Sequence, residues 1–295
     1  MAWKIGDVSI TSVIELDLSV DASFILPDAT PENLAPDFDW LKPDFVDEDG
    51  KLKFRVQALL VESCGQKIII DTCVGNDKKR TTPEWSELNG PFLENIAKSG
   101  FKREEVDLVI CTHLHVDHVG WNTMKVNGKW IPTFPNARYL ITQPEFEHWS
   151  HEKDQSYAQI FGDSVAPVFE AGLVELVDCN HQITSELQLM PTPGHTPGHC
   201  SVAIASRGEE AIITGDIMHH PCQCVHPEWE CVADTFPQLA EITRRKFLDR
   251  CSGSDTLVIG THWSASTPVH IIKHKSAWKV KVSSANSIKN AKNKS

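Results

Sequence analysis

The sequence predicts an α+β protein in which two β-sheets are covered by helices. Three observations carry this expectation. The N-terminal quarter holds hairpin-like runs of Val, Ile and Thr, and the rest alternates short apolar runs with segments of helical spacing. Of the 295 residues, 41% are apolar. That suffices for a large core, since a chain of about 300 residues removes about three quarters of its surface from water.

Each element has its own signal. Ile5 to Leu18 is rich in β-branched residues and reads as strands. Residues 27–50 carry several Pro and Asp with few periodic apolar positions, so a long loop or lid is expected there. Phe54 to Val61 and Lys67 to Asp71 are β-rich runs joined by Glu62-Ser63-Cys64-Gly65-Gln66, a hairpin. Pro91 to Lys98 reads as a short helix ended near Gly100. Val106 to Thr112 and Ala137 to Thr142 read as strands, and Pro144 to Trp149 starts a helix. Leu187 to Met190, Ser201 to Ala205 and Ala211 to Thr214 are further strands. Phe236 to Cys251 has helical spacing through Leu239, Ile242, Phe247 and Leu248, and Thr256 to Ile259 closes as a strand. One domain over residues 1–282 is expected, with a frayed polar tail over 283–295.

Composition excludes several classes. The formal net charge is −12, from 40 acidic and 28 basic residues, so the chain repels phosphate backbones and nucleic acid is not an expected partner. No basic and apolar leader opens the chain, and no stretch approaches 18 uninterrupted apolar residues. A cytoplasmic protein with no membrane partner is expected. The nine cysteines are scattered and form no CxxC pair, which fits reduced and mostly buried thiols.

The chemistry concentrates in histidine and aspartate. The strand VDLVICT runs directly into His113-Leu114-His115-Val116-Asp117-His118. Alternation along extended chain points His113 and His115 the same way, and a helix start beyond them turns Asp117 and His118 toward the same space. Four metal-ligating side chains in six residues after an apolar strand are not explained by core packing. Three more candidates also follow apolar runs. His195 lies in Pro-Gly-His195-Thr-Pro-Gly-His199, Asp216 in Thr-Gly-Asp216, and His262 in Gly-Thr-His262. A glycine beside each lets the backbone turn tightly, and side chains at several strand ends build a site at one mouth of a sheet scaffold.

This order of HxHxDH, Gly-His-Thr-Pro-Gly-His, Gly-Asp and Thr-His resembles the metallo-β-lactamase superfamily, over most of the chain from about Ile5 to Val282. The resemblance implies an αββα sandwich, two mixed β-sheets flanked by helices, with the site at one edge of both sheets. It also implies two divalent ions, zinc by default, with iron, manganese or cobalt accepted by the same donors. His113, His115 and His195 would hold one ion, Asp117, His118 and His262 the other, and Asp216 would bridge them. His199 is outside that ligand set and reads as structural.

Within the family the chain looks most like the lactonase and organophosphate-hydrolase branch. Asp216 at the bridging position disfavours true β-lactamases. Glyoxalase II usually adds a C-terminal helical domain, and the nuclease and flavin-diiron branches carry further domains. Gly215-Asp216-Ile217-Met218-His219 is similar to methyl parathion hydrolase-type sequences. Quorum-quenching lactonases place Tyr where His219 stands and tend to have Gly-Gly where this chain has Gly120-Trp121. Both departures point away from acyl-homoserine lactones as the specific substrate. The expected reaction is attack by a metal-bridging hydroxide on a lactone, ester or phosphotriester. Asp117 would carry protons, and His219 would donate one or stabilise an oxyanion. Trp121 and Trp263, each next to ligand segments, would form aromatic substrate walls. Tyr157, Phe161 and the 27–50 loop would form a lid, while His220 faces solvent. A thioesterase or phosphotriesterase is the alternative within the fold, and a non-catalytic metal- or partner-binding protein the alternative outside it. Whether the chain forms a homodimer is left open by the sequence.

Overall fold

The computed structural model describes residues 1–264 and 268–282. The expected tail over 283–295 lies outside the described residues. Among these residues the first sheet has seven strands. It is built from β1 (Ala2–Ile5), β2 (Val8–Val20), β3 (Leu52–Ser63), β4 (Gln66–Ile70) and β5 (Leu108–Ile110). A separate hairpin follows, β6 (Thr123–Val126) and β7 (Lys129–Pro132), before the sheet resumes with β8 (Arg138–Thr142) and β9 (Val174–Val177). The second sheet has six strands: β10 (Leu187–Pro191), β11 (Cys200–Ser206), β12 (Glu209–Ile213), β13 (Leu257–Ile259), β14 (Val269–His274) and β15 (Ala277–Val282). Both sheets are mixed. β1 to β4 pair antiparallel, then β4, β5, β8 and β9 run parallel, and β12 pairs parallel with β13 in the second sheet.

Strand alternation sorts the apolar side chains into three layers. Ile68, Ile70, Leu108 and Ile110 point inward and meet Val202, Ile204, Ile213 and Ile259 of the facing sheet. Their neighbours Ile69 and Val109 point outward, against Phe92, Ile96, Trp149 and Val165 of the covering helices. On the other side Ile212, Val258 and Val269 pack against Phe247, Leu248 and Cys251 of the helix Pro237–Ser252. Helix, sheet, sheet and helix stack in that order, as the sequence led one to expect.

Two expectations change. Residues 27–50 are not one long open loop, and none of them lines the cavity described below. They fold into short helical turns at Pro31–Leu34, Ala35–Asp37 and Phe38–Leu41. Leu34, Leu41, Phe45 and Val46 are buried in one cluster with Ile217, Met218 and Trp229. Phe161 is not a lid residue either: it lies within the helical segment Gln155–Glu170, packs on Phe146 and does not line the cavity.

The fold delivers its polar residues to one edge. β4 leads to Asp71, β5 to His113, β10 to the turn bearing His195, β12 to Asp216 and β13 to His262. In β2 the register slips between Ile14 and Leu16. The bulge re-aims Glu15, which accepts from the backbone N–H of Val74 (2.7 Å) and Gly75 (3.2 Å) and from the Trp121 indole (2.6 Å). Gly120 sits where a Cβ would lie 1.8 Å from the Val74 carbonyl oxygen, so this segment closes only on glycine.

Candidate metal centre

Five imidazoles and two carboxylates converge on one buried point: His113, His115, His118, His195, His262, Asp117 and Asp216. Asp216 is the hub. Its Oδ2 lies 3.8 Å from His113 Nε2, 3.4 Å from His118 Nε2 and 3.5 Å from His195 Nε2. Its Oδ1 lies 3.0 Å from His262 Nε2. Asp117 offers one oxygen to His118 and the other to His262, each at 3.6 Å. His115 Nδ1 and His195 Nε2 stand 2.8 Å apart and face each other.

Each imidazole is aimed by a partner on its far side. His118 Nδ1 donates to Asp71 Oδ2 at 2.9 Å. His113 Nδ1 reaches Thr112 Oγ1 at 3.1 Å, and that hydroxyl donates to Asp71 at 2.9 Å. His195 Nδ1 donates to Asp234 at 2.8 Å, and His262 Nδ1 to the Arg55 carbonyl at 2.6 Å. Occupying Nδ1 with a proton leaves Nε2 as a lone pair directed inward, the usual arrangement behind metal-bound histidine. His115 is the exception: its Nδ1 faces the centre, and its ring stands edge-on to Trp149.

The inner nitrogens of His113, His118 and His262 and Asp216 Oδ1 are buried without a hydrogen-bond partner. Buried polar atoms are rarely left unpaired, and these form a closed cage of nitrogen and oxygen donors. The donor set therefore fits divalent metal, with Asp216 within reach of both groups of imidazoles. Burial, the largest influence on each, pulls His113, His115 and His195 below their ordinary values. Burial also disfavours charge on His118 and Asp216, but there the opposite charges outweigh it. The carboxylate of Asp216, then those of Asp71 and Asp117, hold His118 well above its usual value, and the imidazoles hold Asp216 well below its own.

His199 is structural. Its Nε2 accepts the Asp216 backbone N–H at 2.8 Å, and its Nδ1 reaches Thr192. Burial pushes its pKa down to about 3, so it stays the neutral acceptor that this bond requires. Gly215 lies at φ +55°, and a Cβ there would meet His199 Nε2 at 2.5 Å.

The centre opens into a cavity of about 550 Å³. His115, Asp117, Asp216, His219 and His262 form its floor. Phe24, Ile25, Phe54, Trp85, Tyr157 and Val232 are among its walls, with Lys51 and Glu84 also on the lining. Tyr157 thus lines the cavity. His219 Nε2 stands 3.3 Å from Asp216 Oδ2, and neither of its ring nitrogens has a hydrogen-bond partner.

The expected tryptophan walls are misplaced. Trp121 is buried, stacks on Phe92 at 5.3 Å and donates to Glu15. Trp263 is buried edge-on to Phe45. Neither lines the cavity: Phe92 and Glu15 hold Trp121, and Phe45 packs against Trp263. His220 does not face solvent either. It is buried, with Nε2 donating to the Phe45 carbonyl at 2.9 Å. Asp71, Glu145, Asp234 and Arg244 were not anticipated. Asp71 carried a readable signal, an acid directly after the apolar run Ile68-Ile69-Ile70. Asp234, Glu145 and Arg244 carried none.

A family model for the metallo-β-lactamase superfamily matches residues 53–271. The chain belongs to the metallo-β-lactamase superfamily. Among curated relatives of this superfamily member is an N-acyl homoserine lactonase from a Bacillus species, 28% identical over 168 residues, covering 52% of this chain and 59% of the relative. A probable metallo-hydrolase from Methanocaldococcus jannaschii is 28% identical over 126 residues, covering 42% and 54%. The chain thus spans between a half and two thirds of the curated relatives it first matches. Among solved structures, the dizinc quorum-quenching lactonase AidC, in complex with a product, aligns with TM-score 0.81 at 20% identity, over 96% of this chain and 97% of that one. The hydrolase AbOPH aligns with TM-score 0.77 at 24% identity, over 96% and 97%. These structures share the fold of the superfamily. No helix of the described residues is long and apolar enough to cross a membrane. All nine cysteines are free, seven of them buried.

Proposed function

We propose that the chain is a dinuclear metal-dependent hydrolase that opens a lactone or cleaves an ester carrying an apolar arm. The observation that carries this is the unpartnered donor cage at the floor of a cavity walled by Phe24, Ile25, Phe54, Trp85 and Val232. His113, His115 and His195 would hold one ion, Asp117, His118 and His262 the second, and Asp216 both. Zinc suits this set, and iron, manganese or cobalt fit the same donors. Bound there, such ions supply a nucleophile from water at neutral pH and polarise a carbonyl or phosphoryl oxygen.

The chain's own residues do the rest. The apolar walls take the arm of the substrate and exclude water around the floor. Asp117 reaches the cavity with a carboxylate and carries a proton between solvent and the floor. His219, on the cavity floor with Nε2 3.3 Å from Asp216 Oδ2, donates a proton to the leaving oxygen. Relatives named as N-acyl homoserine lactonases support the lactone reading.

A substrate panel on metal-defined protein tests this: lactones of graded acyl length, aryl esters, phosphotriesters, thioesters and a β-lactam. Lactone or ester turnover should disappear with chelation and return with zinc. Silence across the panel with two ions bound would leave a metal-binding protein without turnover. Preference for triesters would move the assignment to the organophosphate branch.

A further inference from the structure

One metal ligand and one wall of the cavity hang on the same two side chains. Asp234 uses Oδ1 to accept from His195 Nδ1 at 2.8 Å, and Oδ2 to accept the Cys231 backbone N–H at 3.0 Å. Cys231, Val232 and Ala233 line the substrate cavity. Val232 N–H donates to the Ile25 carbonyl at 3.0 Å, which joins this wall to the opposite lip. Just after Asp234, Thr235 N–H and Phe236 N–H donate to the carbonyls of His195 and Gly194 at 2.8 and 2.9 Å.

Behind Asp234 stands Arg244, 1% exposed on the helix Pro237–Ser252. Its Nε donates to the Ile217 carbonyl at 2.9 Å, next to Asp216 in the chain. Its Nη1 donates to the carbonyls of Pro227 (2.6 Å) and Trp229 (3.1 Å), at the root of the wall. Its Nη2 lies 3.5 Å from Asp234 Oδ2. A buried guanidinium is costly unless its donors are used. Here Nε and Nη1 are spent on the backbone after Asp216 and on the stem of the cavity wall, while Nη2, which makes no hydrogen bond, faces the carboxylate behind His195 as an ion pair. Nothing in the hydrolytic reaction requires Arg244, so its burial calls for another role.

We propose that Arg244 and Asp234 are positioning residues that couple loading of the His113–His115–His195 half-site to the shape of the substrate cavity. Arg244 fixes Asp234, one oxygen of Asp234 aims His195, and the other holds the wall at Cys231. A loosened ligand and a loosened wall are then one event. The inference rests on the metallohydrolase reading for its metal arm only.

Asp234→Asn keeps volume and one acceptor oxygen and removes the charge. Two readouts, neither of them activity, test it on the full chain. In a zinc titration against a competing chelator, one of the two binding steps of D234N should weaken by about 10–100-fold, the usual loss for a partner behind a histidine ligand, while the other holds. Iodoacetamide labelling, mapped by peptide mass spectrometry, should modify Cys231 at least about tenfold faster in D234N than in zinc-loaded wild type, as expected for a local opening. Buried Cys222 and Cys251 should stay protected and so report an intact core. Both zinc steps unchanged with Cys231 still protected would overturn the proposal. So would simultaneous exposure of Cys222, Cys231 and Cys251, because the pair would then serve global stability alone. A wild-type chain that binds no zinc would defeat the metallohydrolase reading, and the same labelling of D234N against wild type, both metal-free, would still decide the link between Asp234 and the wall.

Discussion

The two halves of the metal centre are built from different chemistry. One half presents only imidazoles, His113, His115 and His195, all depressed by burial and therefore neutral lone-pair donors. The other half packs His118 among three carboxylates, Asp71, Asp117 and Asp216, which overcome burial and hold its proton well above the ordinary histidine range. The halves are also aimed differently. Asp71 serves both, directly for His118 and through Thr112 for His113, whereas Asp234 serves His195 alone. The lesson is that a cage of metal-ligating side chains need not be symmetric in charge. The nitrogen-rich half suits zinc or iron, and the carboxylate-rich half also tolerates harder ions such as manganese.

The largest test removes the shared member. Asp216→Ala should release both ions and reduce kcat/KM by at least about 10³-fold, as expected when several kcal/mol of charge stabilisation are lost. Retention of two ions by elemental analysis would break the comparison, because Asp216 would then not be common to the halves. Asp117→Asn removes charge from one half only. It should leave about one tightly held ion and cost about 10²-fold in kcat/KM, roughly 3 kcal/mol. Unchanged turnover would argue against a role for the second half.

A control outside the centre separates its acid sensitivity from that of the fold. Buried His220 is satisfied only when neutral: Nε2–H donates to the Phe45 carbonyl and Nδ1 accepts the Cys222 N–H. Burial, its main influence, lowers its pKa to about 4. The unfolded chain binds this proton near pH 6.5, so stability is full above that value and falls as pH drops from 6.5 toward 4. The loss is at most about 3 kcal/mol, and His220→Gln should flatten that part of the acid-unfolding curve followed by circular dichroism. An unchanged slope would place the acid sensitivity elsewhere, in the centre itself.

The smallest effect sharpens the nitrogen-rich half. Buried Glu145 accepts from Leu114 N–H (3.0 Å), Trp149 Nε1 (2.6 Å) and Gly198 N–H (2.9 Å). It staples the HxH segment to the turn of His195. Glu145→Gln turns one acceptor into a donor against donors and should cost about 1–3 kcal/mol. The midpoint of thermal unfolding should fall by several degrees, and zinc affinity should weaken in that half first. A weakening confined to the other half would contradict the staple.

The convergence of these seven side chains was legible in the sequence because metal chemistry restricts both residue type and place. Packing alone seldom puts His and Asp directly after apolar strands, and every one of the seven arrives at the same point. The residues that aim them were not legible. Asp234 lies in a loop 39 residues beyond His195, and Glu145 sits on a helix with no pattern to distinguish it from a surface acid. The covering segments were harder still. Prolines and acids in 27–50 obscure Leu34, Leu41 and Phe45, which follow no single period because three short turns replace one helix. Sheets, by contrast, were visible as short β-rich apolar runs, Ile68 to Ile70 and Leu108 to Ile110, continuous because these strands are covered on both faces.

The contact at Gly120 separates two positions that a Gly-Gly pattern would treat alike. The first has no room for any side chain against Val74. The second points into the space where Trp121 stacks on Phe92 and meets Glu15. Only the first glycine is dictated by geometry, and the second is open to whatever the neighbouring core accepts. Trp121 in this chain is therefore a change of core composition and carries no information about substrate preference.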